Sequence, residues 1–139
     1  MSLYRQFKSD ETLEKSGILL EYGFNKAGLP ITIRIARAGG ANAAYTKRME
    51  AKVKPYRRQI QTETIDTQVI EKLLRELYAE TVVLGWENVE DADGNPLTFS
   101  TANAVKLFTD LPDLFRDIQE QSQRSALFRA ELLERDSGN

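Results

Sequence analysis

The residues whose types and spacing come nearest to catalytic chemistry are two pairs of carboxylates, Glu63 with Asp66 and Glu76 with Glu80. Two carboxyls brought together out of water separate their pKa values and can divide the roles of acid and base. Both pairs fall on or beside helical segments, where acidic side chains ordinarily face water, so no catalytic residue is assigned. Asp91, Asp93 and Gly94 invite a second reading, because a calcium loop alternates acids around a glycine at its sixth position. Counting removes it: with Gly94 sixth, the first position is Val89 and the twelfth is Ser100, so the first ligand and the bidentate glutamate are both missing. The chain has no cysteine and no histidine. That excludes disulfides, the usual zinc sites, and Cys–His or Ser–His nucleophile pairs. The expectation is a protein that is not an enzyme and carries no metal and no cofactor.

Binding chemistry has more to draw on. Arg34, Arg37, Lys47, Arg48, Lys52, Lys54, Arg57 and Arg58 lie in a window with one acid, Glu50, giving it +7 and leaving −9 for the rest of the chain. A chain polarised in this way can meet an oppositely charged partner or a second copy of itself. The stretch from Lys47 to Arg58 has three readings: a solvated helix face, a docking surface for an acidic protein segment, or a track for phosphates with Tyr45 and Tyr56 stacking on bases. Trp86, beside Gly85, reads first as a plug of the core and second as an aromatic anchor for a partner. Lys47, Arg48, Lys52, Tyr56, Arg57, Arg58 and Trp86 are therefore the candidates for partner binding or self-association.

These residues must be positioned by elements that the hydrophobic pattern foretells. Residues 1–16 read as a short, frayed lead-in. Gly17–Tyr22 and Pro30–Ala36 flank the turn residues Asn25-Lys26-Ala27-Gly28, and Ile31, Ile33 and Ile35 alternate with Thr32 and Arg34, which predicts an antiparallel hairpin with one buried face. After Gly39-Gly40, Asn42 is placed to cap a helix reaching about Val53, with Tyr45 and Met49 on its thin apolar stripe. Val69, Ile70, Leu73, Leu74, Leu77, Tyr78 and Val82 define a central core helix opened by Asp66 or Thr67, with Gly85 as its left-handed terminal residue and Trp86 folding back on it. Residues 87–99 form a loop, Ser100 caps a helix bearing Ala104, Val105, Leu107, Phe108 and Leu111, and Pro112 opens a last helix from about Asp113 to Arg135. Leu114, Phe115 and Ile118, then Leu127, Phe128, Leu132 and Leu133, form its two apolar clusters. The fold class is mainly α (α+β), a bundle-like domain of about four helices with an N-terminal two-stranded hairpin. Its parts are an N-terminal arm and hairpin (1–38), a helical core (39–135) and a polar tail (136–139).

Met1–Asp10 hold no apolar run of signal-peptide length, and no segment approaches the ~20 apolar residues of a membrane span. The expectation is a cytoplasmic protein without membrane association.

Several local patterns, in order, resemble a known family. Gly39-Gly40-Ala41-Asn42 leads to Tyr45, a basic helix and Lys54-Pro55-Tyr56-Arg57-Arg58; then come Val82-Val83-Leu84-Gly85-Trp86-Glu87-Asn88-Val89, Asp93-Gly94, Phe99-Ser100 and Leu111-Pro112-Asp113-Leu114. This arrangement, over roughly residues 38–133, is similar to that of the tail assembly chaperones of long-tailed bacteriophages. The resemblance implies a mostly helical, self-associating protein of phage or prophage origin. Such a protein coats and solubilises the tape measure protein in the host bacterial cytoplasm and is absent from the mature virion. It also implies a longer, frameshifted form that recruits tail tube subunits, and it brings no catalytic residues. The charge asymmetry adds a mechanism, the basic helix of one copy meeting an acidic face of the next. The competing expectation is a small nucleic-acid-binding protein using the basic helix around residues 47–58.

Overall fold

The computed structural model describes residues 2–129. Two short helices, α1 (Leu3–Phe7) and α2 (Glu11–Ser16), precede strands β1 (Ile18–Phe24) and β2 (Pro30–Ile35). Helix α3 (Ala43–Val53), a 3-10 turn (Lys54–Tyr56), α4 (Arg57–Gln61) and α5 (Thr67–Thr81) follow. Strand β3 (Val83–Glu87), α6 (Thr101–Asp110), α7 (Pro112–Gln123) and a 3-10 turn (Ser125–Phe128) complete the described chain. The class is the expected α+β, rich in helix.

The hairpin forms where the alternation places it, with Ile18 opposite Ile35 and Leu20 opposite Ile33. Asn25 builds its turn: the side-chain oxygen accepts from the N–H groups of Ala27 and Leu29, each at 3.0 Å. The hairpin does not remain two-stranded. β3 adds antiparallel to β2, with Ile33 opposite Trp86 and Ile35 opposite Val83, in the order β1-β2-β3. Three strands with an apolar face are what a small sheet needs for stability, and β2, paired on both edges, buries Ile33 and Ile35 almost completely.

This third strand corrects the expected end of the central helix. α5 stops at Thr81, and Val82-Val83-Leu84 leads straight into β3. Gly85 lies inside the strand and is not among the left-handed glycines, and Trp86 projects from the strand instead of folding over the helix end. The β-branched run favours a pleated conformation once β2 offers a free edge. The opening of α5 is as expected, the Asp66 carboxylate accepting from Gln68 N–H at 2.8 Å.

Asn42 precedes α3 but makes no side-chain cap on it. It is buried, and its amide donates to the Arg37 and Thr81 carbonyls, 2.9 Å each, so it satisfies the end of α5 instead. The N-terminal segment is likewise more ordered than a frayed lead-in. Ser2 caps α1 and Asp10 caps α2, and Glu14, 2 % exposed, accepts from Ser9 Oγ (2.7 Å), Arg37 Nη1 (2.8 Å) and the Ala41 N–H (3.3 Å). Gly40 sits at φ +53°, and a Cβ there would run into the Glu14 carboxylate, so this close approach requires glycine.

The last helix is shorter than its pattern suggests. α7 ends at Gln123, Arg124 turns extended, and the 3-10 turn buries Phe128 beside α2, where the Phe128 carbonyl accepts from Asp10 N–H at 2.7 Å. The polar stretch from Gln119 to Ser125 offers no continuous apolar face, and turning the chain returns Phe128 to the core. Leu132, Leu133 and the tail lie outside the described residues.

One core joins sheet and helices: Ile33, Ile35, Tyr78, Ala79, Val82, Val83, Ala104, Phe108, Phe115 and Ile118. Its aromatic spine runs from Tyr45 edge-on to Tyr78 (5.9 Å), Tyr78 edge-on to Phe115 (5.5 Å), and Phe115 stacked on Phe108 (5.0 Å). Only the C-terminal half of α5 enters this core; Ile70 near its start stays 38 % exposed.

Candidate functional site

The basic window divides into two parts with different tasks. α3 lies antiparallel along α5, and there Arg48 Nε meets Glu80 Oε2 at 2.5 Å while Lys52 Nζ reaches Glu76 Oε2 and Glu80 Oε1, both at 3.1 Å. Two of the predicted partner-binding cations are thus spent inside the fold, holding a helix that has no fully buried side chain of its own. Burial raises the pKa of Glu80, but its hydrogen bonds from Arg48 and Lys52 outweigh that and hold the carboxyl below its ordinary value. Glu80 is a counter-ion kept in the charged form, the opposite of what a general acid needs, and Glu76 is taken up as a partner of Lys52. Glu63 is an exposed turn residue at φ 56°, and Asp66 is occupied as the cap of α5.

The second part makes no ion pair among the described residues. Lys47 is exposed on α3, Lys54 stands in the 3-10 turn, and Arg57 and Arg58 are exposed on α4. None of the four has a carboxylate within ion-pair distance among the described residues. Tyr56 beside them is half-buried, and Ile60 on the same short helix is 41 % exposed. Tyr45 faces inward, and burial together with the adjacent Tyr78 hydroxyl pushes its pKa up to about 12. It is core, not a stacking platform. With Arg48 and Lys52 neutralised and Tyr45 turned inward, the phosphate-tracking reading loses three of its eight residues.

Trp86 stands apart from this ridge. Its indole N–H donates to the Leu97 carbonyl at 2.7 Å, and its ring meets Phe99 edge-on at 5.0 Å, which is the packing role. The same half-buried ring lines a cleft of about 870 Å³ between the hairpin turn and the 88–99 loop, with Leu29, Val89, Pro96 and Leu97. In that loop the Asp91 carboxylate accepts from the N–H groups of Asp93 and Asn95, each at 2.9 Å, so it closes a turn. Among the described residues no group of three or more carboxylates is arranged to hold a metal ion, and no helix is long and apolar enough to cross a membrane.

Two further surfaces escaped the sequence reading. One is an apolar groove of about 340 Å³ where the hairpin meets the corner between α6 and α7, lined by Tyr22, Ile31, Val89, Leu107, Leu111 and Leu114. Tyr22 donates its hydroxyl to Asp117 Oδ2 at 2.6 Å across the groove, and burial and that carboxylate together raise its pKa well above the usual range. Leu111, at the corner, is 48 % exposed. The other is α1, whose Leu3, Tyr4 and Phe7 are all exposed. The groove could not be read from the chain because its walls come from segments some 80 residues apart. The α1 surface had a signal, three large apolar residues within five positions, that a frayed reading overlooks.

Residues 40–139 match the YdaY prophage protein family. The chain belongs to that family and is a prophage protein. No curated protein and no solved structure matches it.

Proposed function

We propose that this prophage protein is a tail assembly chaperone. It binds the tape measure protein and keeps it soluble in the host cytoplasm, helps to recruit tail tube subunits through a longer frameshifted form, and is left out of the finished virion. The observation that supports this reading is the exposure of large apolar side chains on a solvated chain: Leu3 at 72 %, Tyr4 at 81 % and Phe7 at 66 % on α1. Clustered apolar surface of this kind marks a protein-binding site. A long helical partner with an apolar stripe would be covered by many copies, each making a modest contact, with avidity holding the coat together. Lys54, Arg57 and Arg58, which make no ion pair among the described residues, supply attraction for acidic stretches of the partner.

The test is co-expression with the long, helix-rich tape measure candidate of the same prophage, followed by affinity capture and light scattering. A soluble complex with several copies of this chain per partner is expected, and Leu3→Asp with Phe7→Asp should dissolve it while leaving the circular dichroism unchanged. A partner that stays insoluble while this chain elutes alone would overturn the reading.

A further inference from the structure

We infer that copies of this chain associate head to tail, the α4 segment of one copy placing Ile60 in the apolar groove of the next. This deepens the chaperone reading by naming the contact between copies, and an association measured on this chain alone is decided separately from tape measure binding.

The donor side is a small apolar knob in a basic collar. Ile60 is 41 % exposed. From Ala51 to Thr62 the chain carries Lys52, Lys54, Arg57 and Arg58 and no acid, and among the described residues only Lys52 of these is committed to internal ion pairs. The acceptor side has the complementary chemistry. The groove walls are aliphatic and aromatic, and its surroundings are acidic: Glu90 lines it, Asp117 holds the Tyr22 hydroxyl, and Asp110 and Asp113 bracket Leu111 in sequence.

Two bases stand among these acids. Lys106 pairs with Asp110 at 2.9 Å and Arg116 with Asp113 at 3.5 Å, both pairs well exposed. Exposed pairs of this kind contribute little, so an arriving arginine can take over either carboxylate. Knob and groove each leave an apolar side chain in water, Ile60 and Leu111, and one contact would remove both.

Ile60 is not among the residues that line its own chain's groove, so the two halves meet only between copies. Because donor and acceptor are different surfaces, the contact is heterologous and propagates into a ring or an open chain instead of stopping at a symmetric dimer. The basic collar over an acidic rim makes it sensitive to ionic strength.

The experiment is sedimentation velocity on the purified full chain, at rising concentration and at low and high salt, with Ile60→Asp and Leu111→Asp variants. Wild type should form species larger than a dimer at low salt and lose at least tenfold in association at high salt. Each variant alone should be monomeric. Mixed in equal amounts they should form a heterodimer that grows no further, because the Leu111→Asp chain keeps an intact knob and the Ile60→Asp chain an intact groove. Arg57→Glu with Arg58→Glu, which leaves the groove untouched, should weaken association comparably and guards against a misfolded Leu111 variant. A wild-type chain that is monomeric throughout, variants that assemble as well as wild type, or a mixture that stays monomeric would each overturn the inference.

Discussion

Replacing Glu14 tests the account of how the N-terminal segment is held. Its carboxylate is 2 % exposed and accepts three hydrogen bonds, from Ser9, Arg37 and the Ala41 backbone, joining α2 to the loop that launches α3. Removing one partner of a buried ion pair costs about 3–5 kcal/mol, because the remaining charge is left without compensation. Arg37 is 24 % exposed and can recover some hydration, so Glu14→Ala should cost about 2–4 kcal/mol. Glu14→Gln keeps the shape and part of the hydrogen bonding and should cost about 1–3 kcal/mol. The assay is urea unfolding followed by circular dichroism, read as a shift in midpoint at constant slope.

The pH dependence gives a second readout. Burial pulls the Glu14 pKa upward, but the bonds from Ser9, Arg37 and Ala41 outweigh it and hold the folded value below the ordinary one. The stabilisation is therefore complete above the unfolded-state value of about 4.3 and is lost as the pH falls through the lower folded-state value. Wild type should lose stability more steeply than Glu14→Gln in that acidic window, and the two should converge at its lower end. A Glu14→Gln variant with unchanged midpoint at neutral pH and a parallel acid profile would refute the reasoning.

Three other outcomes follow from single contacts. Asn42→Ala leaves the carbonyls of Arg37 and Thr81 without their buried donor and should cost about 1–3 kcal/mol in the same urea assay. Trp86→Phe keeps most of the packing on Phe99 but loses the bond to the Leu97 carbonyl, a cost of about 0.5–1.5 kcal/mol; hydrogen exchange at the 88–99 loop should quicken with it. Tyr22 and Tyr45 both have raised pKa values, so ultraviolet titration should show a component ionising above the ordinary tyrosine value of about 10, smaller in Tyr22→Phe. Their contribution to stability should be full below the unfolded tyrosine value of about 10 and be lost as the pH climbs toward about 12, and Tyr22→Phe should soften that fall.

The surfaces offered for binding are legible in the sequence to different degrees. The basic window is plain in the sequence, yet which of its members are free is a tertiary fact. Arg48 and Lys52 look no different from Arg57 and Arg58 until α5 brings Glu76 and Glu80 within reach. Trp86 is legible as a packing residue but its partner element is not, since a glycine after a helix signals a cap as readily as a strand interior. The apolar groove was invisible because Tyr22 and Ile31 on one side and Leu107, Leu111 and Leu114 on the other each look like ordinary core residues of their own elements.

Local physics in the sequence determined the hairpin and its Asn25 turn, the Asp66 and Ser100 caps, the starts of α3, α5, α6 and α7, the mainly helical α+β class and the concentration of positive charge. These depend on side-chain periodicity, β-branching and capping groups within a few residues of one another. Tertiary structure alone decided that Val83–Glu87 is a strand, that Asn42 serves α5 instead of α3, that Glu14 is buried and that α7 breaks to return Phe128 to the core. In each case a backbone edge, a carbonyl, a charge or an aromatic ring finds its partner on an element distant in sequence, and the free energy of that meeting exceeds the modest local preference it overrides.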